Sequence, residues 1–254
     1  MAFIDRNGVR IAYDVIGQGP AILLTHGYAA SSHMFKANAA ALAIDHTVIT
    51  WDMRGHGQSD YPTDPAEYSA DRAVGDILAL LDTVGAGRAV IGGHSLGGYL
   101  SLAFNRDHPD RVRALVMIDT GPGFRNPEGR QRWNDMAERR AVAFEKHGLE
   151  AIAGEGELDP TVHRDSSGLI LAARSMLPQQ DASVMESLPD IRVPTLVIVG
   201  EDDSGFIAGS EYMAAKIPAA TLKMIPGDHA PNLSNAATFD AVLREFLDSL
   251  PPDD

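Results

Sequence analysis

Apolar residues along this chain fall into short runs separated by stretches with helical spacing. Positions 3–5 and 9–15 alternate in polarity on either side of Asn7-Gly8, which predicts an antiparallel β-hairpin at the start of the fold. The later runs are apolar without alternation, as is typical of strands buried on both faces; they cover 21–25, 47–51, 88–91, 112–118, 195–199 and 221–225. This pattern predicts an α/β fold in which helices cover both faces of a mostly parallel sheet.

Helical patterns occupy 32–42, 70–84, the residues after Ser95, 206–216 and 237–250. Between the runs at 112–118 and 195–199 there is no strand pattern, and residues 121–190 carry several helices instead. The first of these begins at Asn126-Pro127 and ends at Gly148. We therefore predict a core formed by 1–120 and 191–254, into which 121–190 is inserted as a helical cap. Residues 251–254 are expected to form a frayed tail.

Composition narrows the class of protein. The chain has 254 residues, of which 44% are hydrophobic, enough for one large α/β domain or two small ones. It has no cysteine, so it forms no disulfide, and its 21 basic against 35 acidic side chains give a formal charge of -14. This charge repels nucleic acid and anionic membranes, and no apolar run reaches membrane-spanning length. We predict a cytoplasmic protein with neither as a partner. No acidic cluster has metal-ligand spacing, so no metal is predicted.

Residues 92–98 read Gly-Gly-His-Ser-Leu-Gly-Gly, directly after the apolar run at 88–91 and directly before a helical pattern. A Gly-x-Ser-x-Gly sequence between a strand and a helix predicts an elbow that presents the serine on a sharp turn above the sheet. Gly93 and Gly97 leave room where neighbouring backbone comes close. Ser95 is therefore the candidate nucleophile.

A serine hydroxyl is a weak nucleophile near neutral pH, so it needs a base, and the base needs an orienting carboxylate. His229 follows the last strand pattern, at the sheet edge where active sites of open α/β sheets form. The loop after the preceding strand offers Glu201, Asp202 and Asp203, and we expect Asp203 to orient the histidine. Asp202 remains an alternative.

The chain order Ser95, Asp203, His229 resembles the α/β-hydrolase family. The chain is also similar to that family in its oxyanion loop, in the loop after the next strand and in its acid turn, which correspond to Thr25-His26-Gly27-Tyr28, 52–59 and 200–203. By overall pattern the chain most resembles the small capped esterases, the enol-lactonases and the carbon-carbon bond hydrolases of that family.

This resemblance implies two further assignments. The backbone N–H groups of Tyr28 and Leu96 would form an oxyanion hole, in which two preorganised donors stabilise the charge that develops on a carbonyl oxygen. Asp119 is a weaker alternative to Asp203, because some relatives place the acid after that strand. The family's overall chemistry requires neither a cofactor nor a metal.

The candidate pocket residues come from the oxyanion loop, the elbow and the apolar stripe of the first cap helix; they are His26, Gly27, His94, Trp133, Met136 and Phe144. Packing is the simplest role for the histidines and for the stripe, which would line an apolar pocket if it faced Ser95. The arginines nearby alternate with acids and are expected on an exposed face: Arg125, Arg130, Arg132, Arg139 and Arg140. A substrate with a carboxylate would need one of them turned inward.

These residues favour a cofactor-independent serine hydrolase that cleaves a small-molecule carboxylic ester through an acyl-enzyme on Ser95. A lactonase or a carbon-carbon bond hydrolase with the same three residues is the alternative within enzymes. A ligand receptor on the same fold, with slow or no turnover, is the alternative from another class. A serine at the elbow argues against dehalogenases and epoxide hydrolases, which require an aspartate there.

Overall fold

The computed structural model describes residues 1–252 of the chain. Its strands are β1 (Ala2–Asp5), β2 (Arg10–Ile16), β3 (Ala21–Thr25), β4 (Thr47–Trp51), β5 (Ala89–His94), β6 (Val112–Ile118), β7 (Thr195–Gly200) and β8 (Ala220–Ile225). They form one eight-stranded sheet in the order β1-β2-β4-β3-β5-β6-β7-β8. Strand β2 is antiparallel to β1 and β4, and the other neighbours are parallel. The predicted α/β sheet and its N-terminal hairpin are confirmed.

The hairpin turn shows why the sequence predicts it well. Asn7 has a φ of 60° and Gly8 a φ of 87°. A two-residue turn between twisted antiparallel strands needs positive φ at both positions, and asparagine and glycine adopt it at the lowest cost.

The described helices are α1 (Lys36–Leu42), α2 (Ala70–Val84), α3 (Leu96–Asp107), α4 (Pro127–His147), α5 (Ser167–Ser175), α6 (Ser183–Glu186), α7 (Ile207–Lys216), α8 (Pro231–Ser234) and α9 (Ala236–Asp248), and several of them, such as α3 and α7, pack on the sheet. The segment predicted as one helix over 32–42 begins as a tight 3-10 turn over Ser32–Phe35. The Ser31 hydroxyl accepts a hydrogen bond from the His33 amide at 3.3 Å and caps that turn.

The sheet is buried on both faces by two apolar clusters. Leu23 and Leu115 belong to one cluster, whereas the adjacent Leu24 and Val116 belong to the other, as the two-residue period of a strand requires. The expectation that 221–225 is buried on both faces is wrong. Met224 is 43% exposed, because β8 is the last strand of the sheet and has no strand on its outer side.

Residues 121–190 contain α4, α5, α6 and short 3-10 turns, and the structure describes no strand among them. Phe144 of α4 is buried with Ile152 and Leu169 against Ala29, and the Tyr28 hydroxyl donates to the Leu169 carbonyl oxygen at 3.0 Å. These contacts fasten the segment to the loop after β3. It stays a prediction that residues 121–190 form a cap distinct from a core of residues 1–120 and 191–254.

Two further expectations concern the chain end and membranes. Residues 251–252 are exposed, and the other half of the predicted tail, 253–254, lies outside the described residues. No helix within 1–252 has both the length and the apolar character needed to cross a bilayer.

Candidate active site

Ser95 lies at the junction of β5 and α3, above the carboxyl end of the sheet. Its φ of 51° and ψ of -115° fall outside the ordinary regions for a non-glycine residue, a strain that costs roughly 1–3 kcal/mol and clusters at functional sites. A Cβ on Gly93 would lie 2.3 Å from the Gly97 carbonyl carbon, and one on Gly97 would lie 2.1 Å from the Thr25 carbonyl oxygen. Both glycines are therefore required by close backbone contacts around the elbow.

His229 is oriented by Asp203. Its Nδ1–H donates to Asp203 Oδ2 at 2.7 Å, which leaves Nε2 as the proton acceptor of the neutral ring. Phe206, three residues after Asp203, stacks on the imidazole with ring centroids 4.7 Å apart and planes 27° apart. Asp202 is exposed, and its carboxylate forms no hydrogen bond with any residue in 1–252. The structure thus brings Asp203, and not Asp202, to His229.

Ser95 and His229 line the same cavity. No hydrogen bond joins Ser95 Oγ to His229 Nε2 in the described structure, and neither atom is bonded to another residue there. Such bonds are often long in the absence of substrate and tighten when a reacting group enters. Within residues 1–252 neither atom therefore has a competing hydrogen-bond partner.

Two backbone amides beside Ser95 lack acceptors. Neither the Tyr28 N–H nor the Leu96 N–H is hydrogen-bonded to a residue within 1–252. Leu96 is the first residue of α3, so its N–H points out of the positive end of the helix dipole. A Cβ on Gly27 would lie 3.3 Å from Ser95 Cβ, so the loop that carries Tyr28 is in contact with the elbow. These amides have the chemistry of an oxyanion hole.

Asp119 is a third member of the acid and base cluster. Its Oδ1 accepts from the Gly200 amide at 2.8 Å, while its buried Oδ2 has no bonded partner in residues 1–252. One ligating atom each from Asp119, Asp203 and His229 lies within 4.8 Å of the others. Burial, together with the nearby Asp203 carboxylate, raises the pKa of Asp119, although the Gly200 amide opposes this. Its backbone φ is also positive, at 42°.

Asp203 behaves in the opposite way. Burial disfavours its charge, but the hydrogen bond from His229 outweighs this and lowers the pKa of Asp203 below the ordinary value. At neutral pH these opposite shifts favour a neutral Asp119 and an ionised Asp203. The same three side chains offer a set of ligand atoms for a metal ion, and the hydrogen bond between His229 and Asp203 already engages one atom of each of these two residues.

His94 supports the loop of the base. Its Nε2–H donates to the His229 carbonyl oxygen at 2.6 Å, and the two rings lie 4.7 Å apart. Burial and the neighbouring His229 lower the pKa of His94 to about 3, so the ring is neutral. This side chain, expected to pack beside the elbow, is indeed buried, and it also borders the cavity at Ser95.

The other candidate pocket residues divide into two groups. Trp133 and Met136 line the cavity at Ser95. His26 is fully buried, donates to the Gly27 carbonyl oxygen at 2.7 Å and accepts from the Met53 amide at 3.0 Å. Phe144 is in the apolar cluster described above. His26, Gly27 and Phe144 do not border either cavity at Ser95 in the described chain.

Two cavities meet at Ser95, with volumes of about 190 and 250 Å³. Ser95, Trp133, Leu177 and Phe206 border both of them. A larger cavity, of about 490 Å³, opens between the N-terminal strands and residues 31–40, and it contains none of Ser95, Asp203 or His229. The candidate site is therefore at the two smaller cavities.

Sequence reasoning missed Leu177 and Phe206 as residues that border the cavities at Ser95. Arg140, expected on an exposed face, has a side chain that is 41% exposed and that also borders the cavity of about 250 Å³. Phe206 had a signal, because it follows Asp203 in the acid loop. Leu177 is far from every motif in the sequence and had none.

The chain belongs to the α/β-hydrolase family. The model of this family, described as alpha/beta hydrolase fold, matches residues 20–153, which is just over half of the chain. The match covers the oxyanion loop, the elbow and the first helix of the 121–190 segment.

Relatives along the full length carry different activities in their names. A Bacillus subtilis (strain 168) protein, provisionally named 2-succinyl-6-hydroxy-2,4-cyclohexadiene-1-carboxylate synthase, is 28% identical over 96% of this chain and 97% of its own. The enol-lactonase of Burkholderia xenovorans LB400 has 26% identity and a TM-score of 0.81, covering 98% of this chain and 100% of the other. A thermophilic esterase of Thermogutta terrifontis has 27% identity and a TM-score of 0.81, covering 98% and 97%.

Proposed function

We propose that this chain is a serine hydrolase that cleaves a small-molecule carboxylic ester. The observation that carries the proposal is the 2.7 Å bond from His229 to Asp203 at a cavity that also contains Ser95 on its strained elbow. A base held in one tautomer, facing a serine and two unpaired amides, matches what acyl transfer requires.

The proposed reaction has two halves. Ser95 Oγ forms a bond to the ester carbon while its proton passes to His229 Nε2, and the oxyanion accepts hydrogen bonds from Tyr28 and Leu96. The carbon-oxygen bond of the leaving group then breaks, and His229 returns the proton to the departing oxygen. Water, deprotonated by His229, then forms a bond to the acyl carbon. The bond from that carbon to Ser95 Oγ breaks, His229 returns the proton to Oγ, and the acid leaves. Asp203 stays ionised throughout, and no cofactor or metal is needed to balance these steps.

We propose further that residues 121–190 act as the cap of this site. Phe124, Trp133 and Leu177 come from this segment and line one or both cavities at Ser95. The cap would thereby exclude water from the acyl-enzyme and set the size of the acceptable substrate.

Hydrolysis of p-nitrophenyl esters, from acetate to long acyl chains, tests the proposal on the wild type and on Ser95→Ala. We expect turnover by the wild type and none above background in the variant, with unchanged melting temperature. Ser204→Ala removes an exposed hydroxyl near the acid loop and should retain activity. Covalent labelling by a fluorophosphonate should likewise require Ser95. Turnover that survives in Ser95→Ala would remove the elbow serine from the mechanism.

A cyclic ester is the second candidate substrate, favoured by the full-length likeness to an enol-lactonase. A lactone contains the same reacting bond, and its opened product would extend from one cavity into the other. Hydrolysis of lactones with no turnover of open esters would move the assignment there. Tight ligand binding with no turnover of either would favour a receptor.

A further inference from the structure

The two cavities that meet at Ser95 differ in charge. We call the one of about 190 Å³ the neutral cavity, because within the described chain its lining contains no Asp, Glu, Lys, Arg or His. Tyr99 and Phe124 contribute aromatic surface to it. Burial raises the pKa of Tyr99, so its hydroxyl is uncharged at neutral pH.

Two of the polar side-chain oxygens at the neutral cavity are already engaged. Thr120 Oγ1 donates to the Ser95 carbonyl oxygen at 2.6 Å, and Gln179 Oε1 accepts from the Phe124 amide at 3.1 Å. An ionised group placed in this cavity would lose its water without gaining an opposite charge, which disfavours it strongly.

The cavity of about 250 Å³ is different, and we call it the charged cavity. It is bordered by Arg140, Glu155 and Glu157. Arg140 Nη1 donates to Glu155 Oε1 at 2.5 Å, with side chains 41% and 31% exposed. Glu157 forms no ion pair with another residue in 1–252. The charged cavity therefore presents more carboxylate acceptors than cationic donors, and it is open to water.

The position of His229 decides which part of an ester each cavity receives. The base must return its proton to the leaving oxygen, so the leaving alcohol has to lie next to His229. His229 borders the charged cavity and not the neutral one. The alcohol therefore enters the charged cavity, and the acyl group enters the neutral cavity.

We propose that the substrates are esters of an uncharged, apolar acid of short to medium length with a hydroxylated alcohol. This inference rests on the proposed function. The size of the acyl group follows from the volume of the neutral cavity, about 190 Å³. Pockets that enclose drug-sized ligands are larger, at roughly 300–1,000 Å³. The alcohol follows from the surplus acceptors of Glu155 and Glu157, which hydroxyl donors satisfy. Acids with a second carboxylate are excluded, since Arg140 is paired and lies on the wrong side.

Two matched ester pairs test the acid and the alcohol separately. Monoethyl glutarate carries a carboxylate where ethyl pentanoate carries its terminal methyl group. We expect kcat/KM to be at least about 100-fold lower for monoethyl glutarate. The pentanoate monoester of glycerol and 2-methylbutyl pentanoate have alcohol parts of similar size. The first carries two hydroxyls where the second carries two methyl groups. We expect the glycerol ester to be preferred roughly fivefold, as one net hydrogen bond provides.

Variants with matched controls locate each preference. Ala208, exposed on α7, lines the neutral cavity, whereas Ala215, exposed on the same helix, does not. Ala208→Lys should raise the glutarate-to-pentanoate ratio roughly fivefold at low salt, and Ala215→Lys should not. Glu157→Leu should abolish the glycerol preference, while Glu150→Leu, at an exposed position away from the cavity, should keep it.

The outcomes separate this inference from the function on which it rests. If the wild type hydrolyses neither member of either pair and is not labelled by a fluorophosphonate, the serine hydrolase assignment and this inference both fail. If it hydrolyses them with ratios near one, or prefers glutarate, the assignment stands and the substrate inference is overturned. If the ratios hold but both lysine variants change them equally, the neutral cavity is not the acyl site.

Discussion

Replacing Gly97 by alanine should disturb both the fold and the catalytic centre. The added Cβ would lie 2.1 Å from the Thr25 carbonyl oxygen and 2.6 Å from its carbon, both backbone atoms that have no rotamer to change. Gly97 is not among the glycines with positive φ, so the substitution tests the contact and not the backbone angle. Restoring ordinary contact requires α3 and the end of β3 to separate by about 1 Å, a typical overpacking problem that costs about 1–3 kcal/mol.

The same displacement should affect chemistry, because the residues after Thr25 carry one of the two proposed oxyanion donors. A misplacement of about 1 Å in a catalytic group costs on the order of 100-fold in rate. For a chain of this size, the stability loss corresponds to a melting temperature lower by about 2–10 °C. Scanning calorimetry measures the first effect, and kcat for the best p-nitrophenyl ester measures the second.

Gly87→Ala is the matched control. A Cβ there meets no atom within 4 Å, and Gly87 also has no positive φ. Its melting temperature and kcat should equal those of the wild type. A Gly97→Ala protein with wild-type stability and wild-type kcat would refute the reasoning, because it would mean that the elbow and the oxyanion loop are not in the close contact described.

The remaining predictions concern the acids and the buried histidine. Asp203→Asn should lower kcat by about 10⁴-fold through loss of the correct His229 tautomer, whereas Asp202→Asn should change it less than threefold. Acidification from pH 7.5 to pH 5 should lower the free energy of unfolding of the wild type, and in His94→Asn this loss should be smaller by about 2 kcal/mol, measured by urea unfolding. Asp119→Asn should fold, and its stability relative to the wild type should improve as the pH rises from 5 to 8.

The sign of the His94 prediction follows from its lowered pKa. The folded protein holds the ring neutral down to about pH 3, whereas the unfolded chain binds a proton below about pH 6.5. The contribution of His94 to the free energy of unfolding is therefore fully present above the pKa of histidine in the unfolded chain, about 6.5, and is lost as the pH falls below that pKa. His147→Asn, at an exposed position, should leave the acid loss unchanged. An equal pH dependence in His94→Asn and the wild type would contradict the assignment of a buried neutral ring.

The sign for Asp119 is the reverse. Its pKa is raised by burial, so the folded state keeps a proton that the unfolded chain releases, and the wild type loses stability as the pH rises. An asparagine has no proton to release and escapes this loss. If the difference between Asp119→Asn and the wild type does not change from pH 5 to pH 8, the carboxyl is not held neutral.

Local patterns in the sequence determined the sheet, the hairpin and the elbow. Asn7-Gly8 predicts its turn because the two positive φ angles are a property of those residues themselves. Gly93 and Gly97 around Ser95 are informative for a similar reason, since a Cβ at either position would overlap neighbouring backbone atoms. The apolar runs predict the strands because burial on both faces requires apolar residues at every position.

Only the tertiary structure decided between Asp202 and Asp203. The two residues are adjacent and chemically identical, so the choice depends on which carboxylate the loop after β7 turns toward His229. The exposure of Met224 likewise depends on the place of β8 at the sheet edge, and the neutral state of Asp119 depends on its burial beside Asp203.

The charge of the two cavities was also beyond the sequence. Arg140 and Glu157 look like ordinary surface residues along the chain, and Leu177 belongs to no motif. They border a cavity with Ser95 only because α4 and the loops that follow it pack near the end of β3. That packing involves contacts such as Phe144 with Ala29, which join distant parts of the chain. Sequence patterns report interactions within a few residues, whereas a pocket is made by residues far apart in the chain.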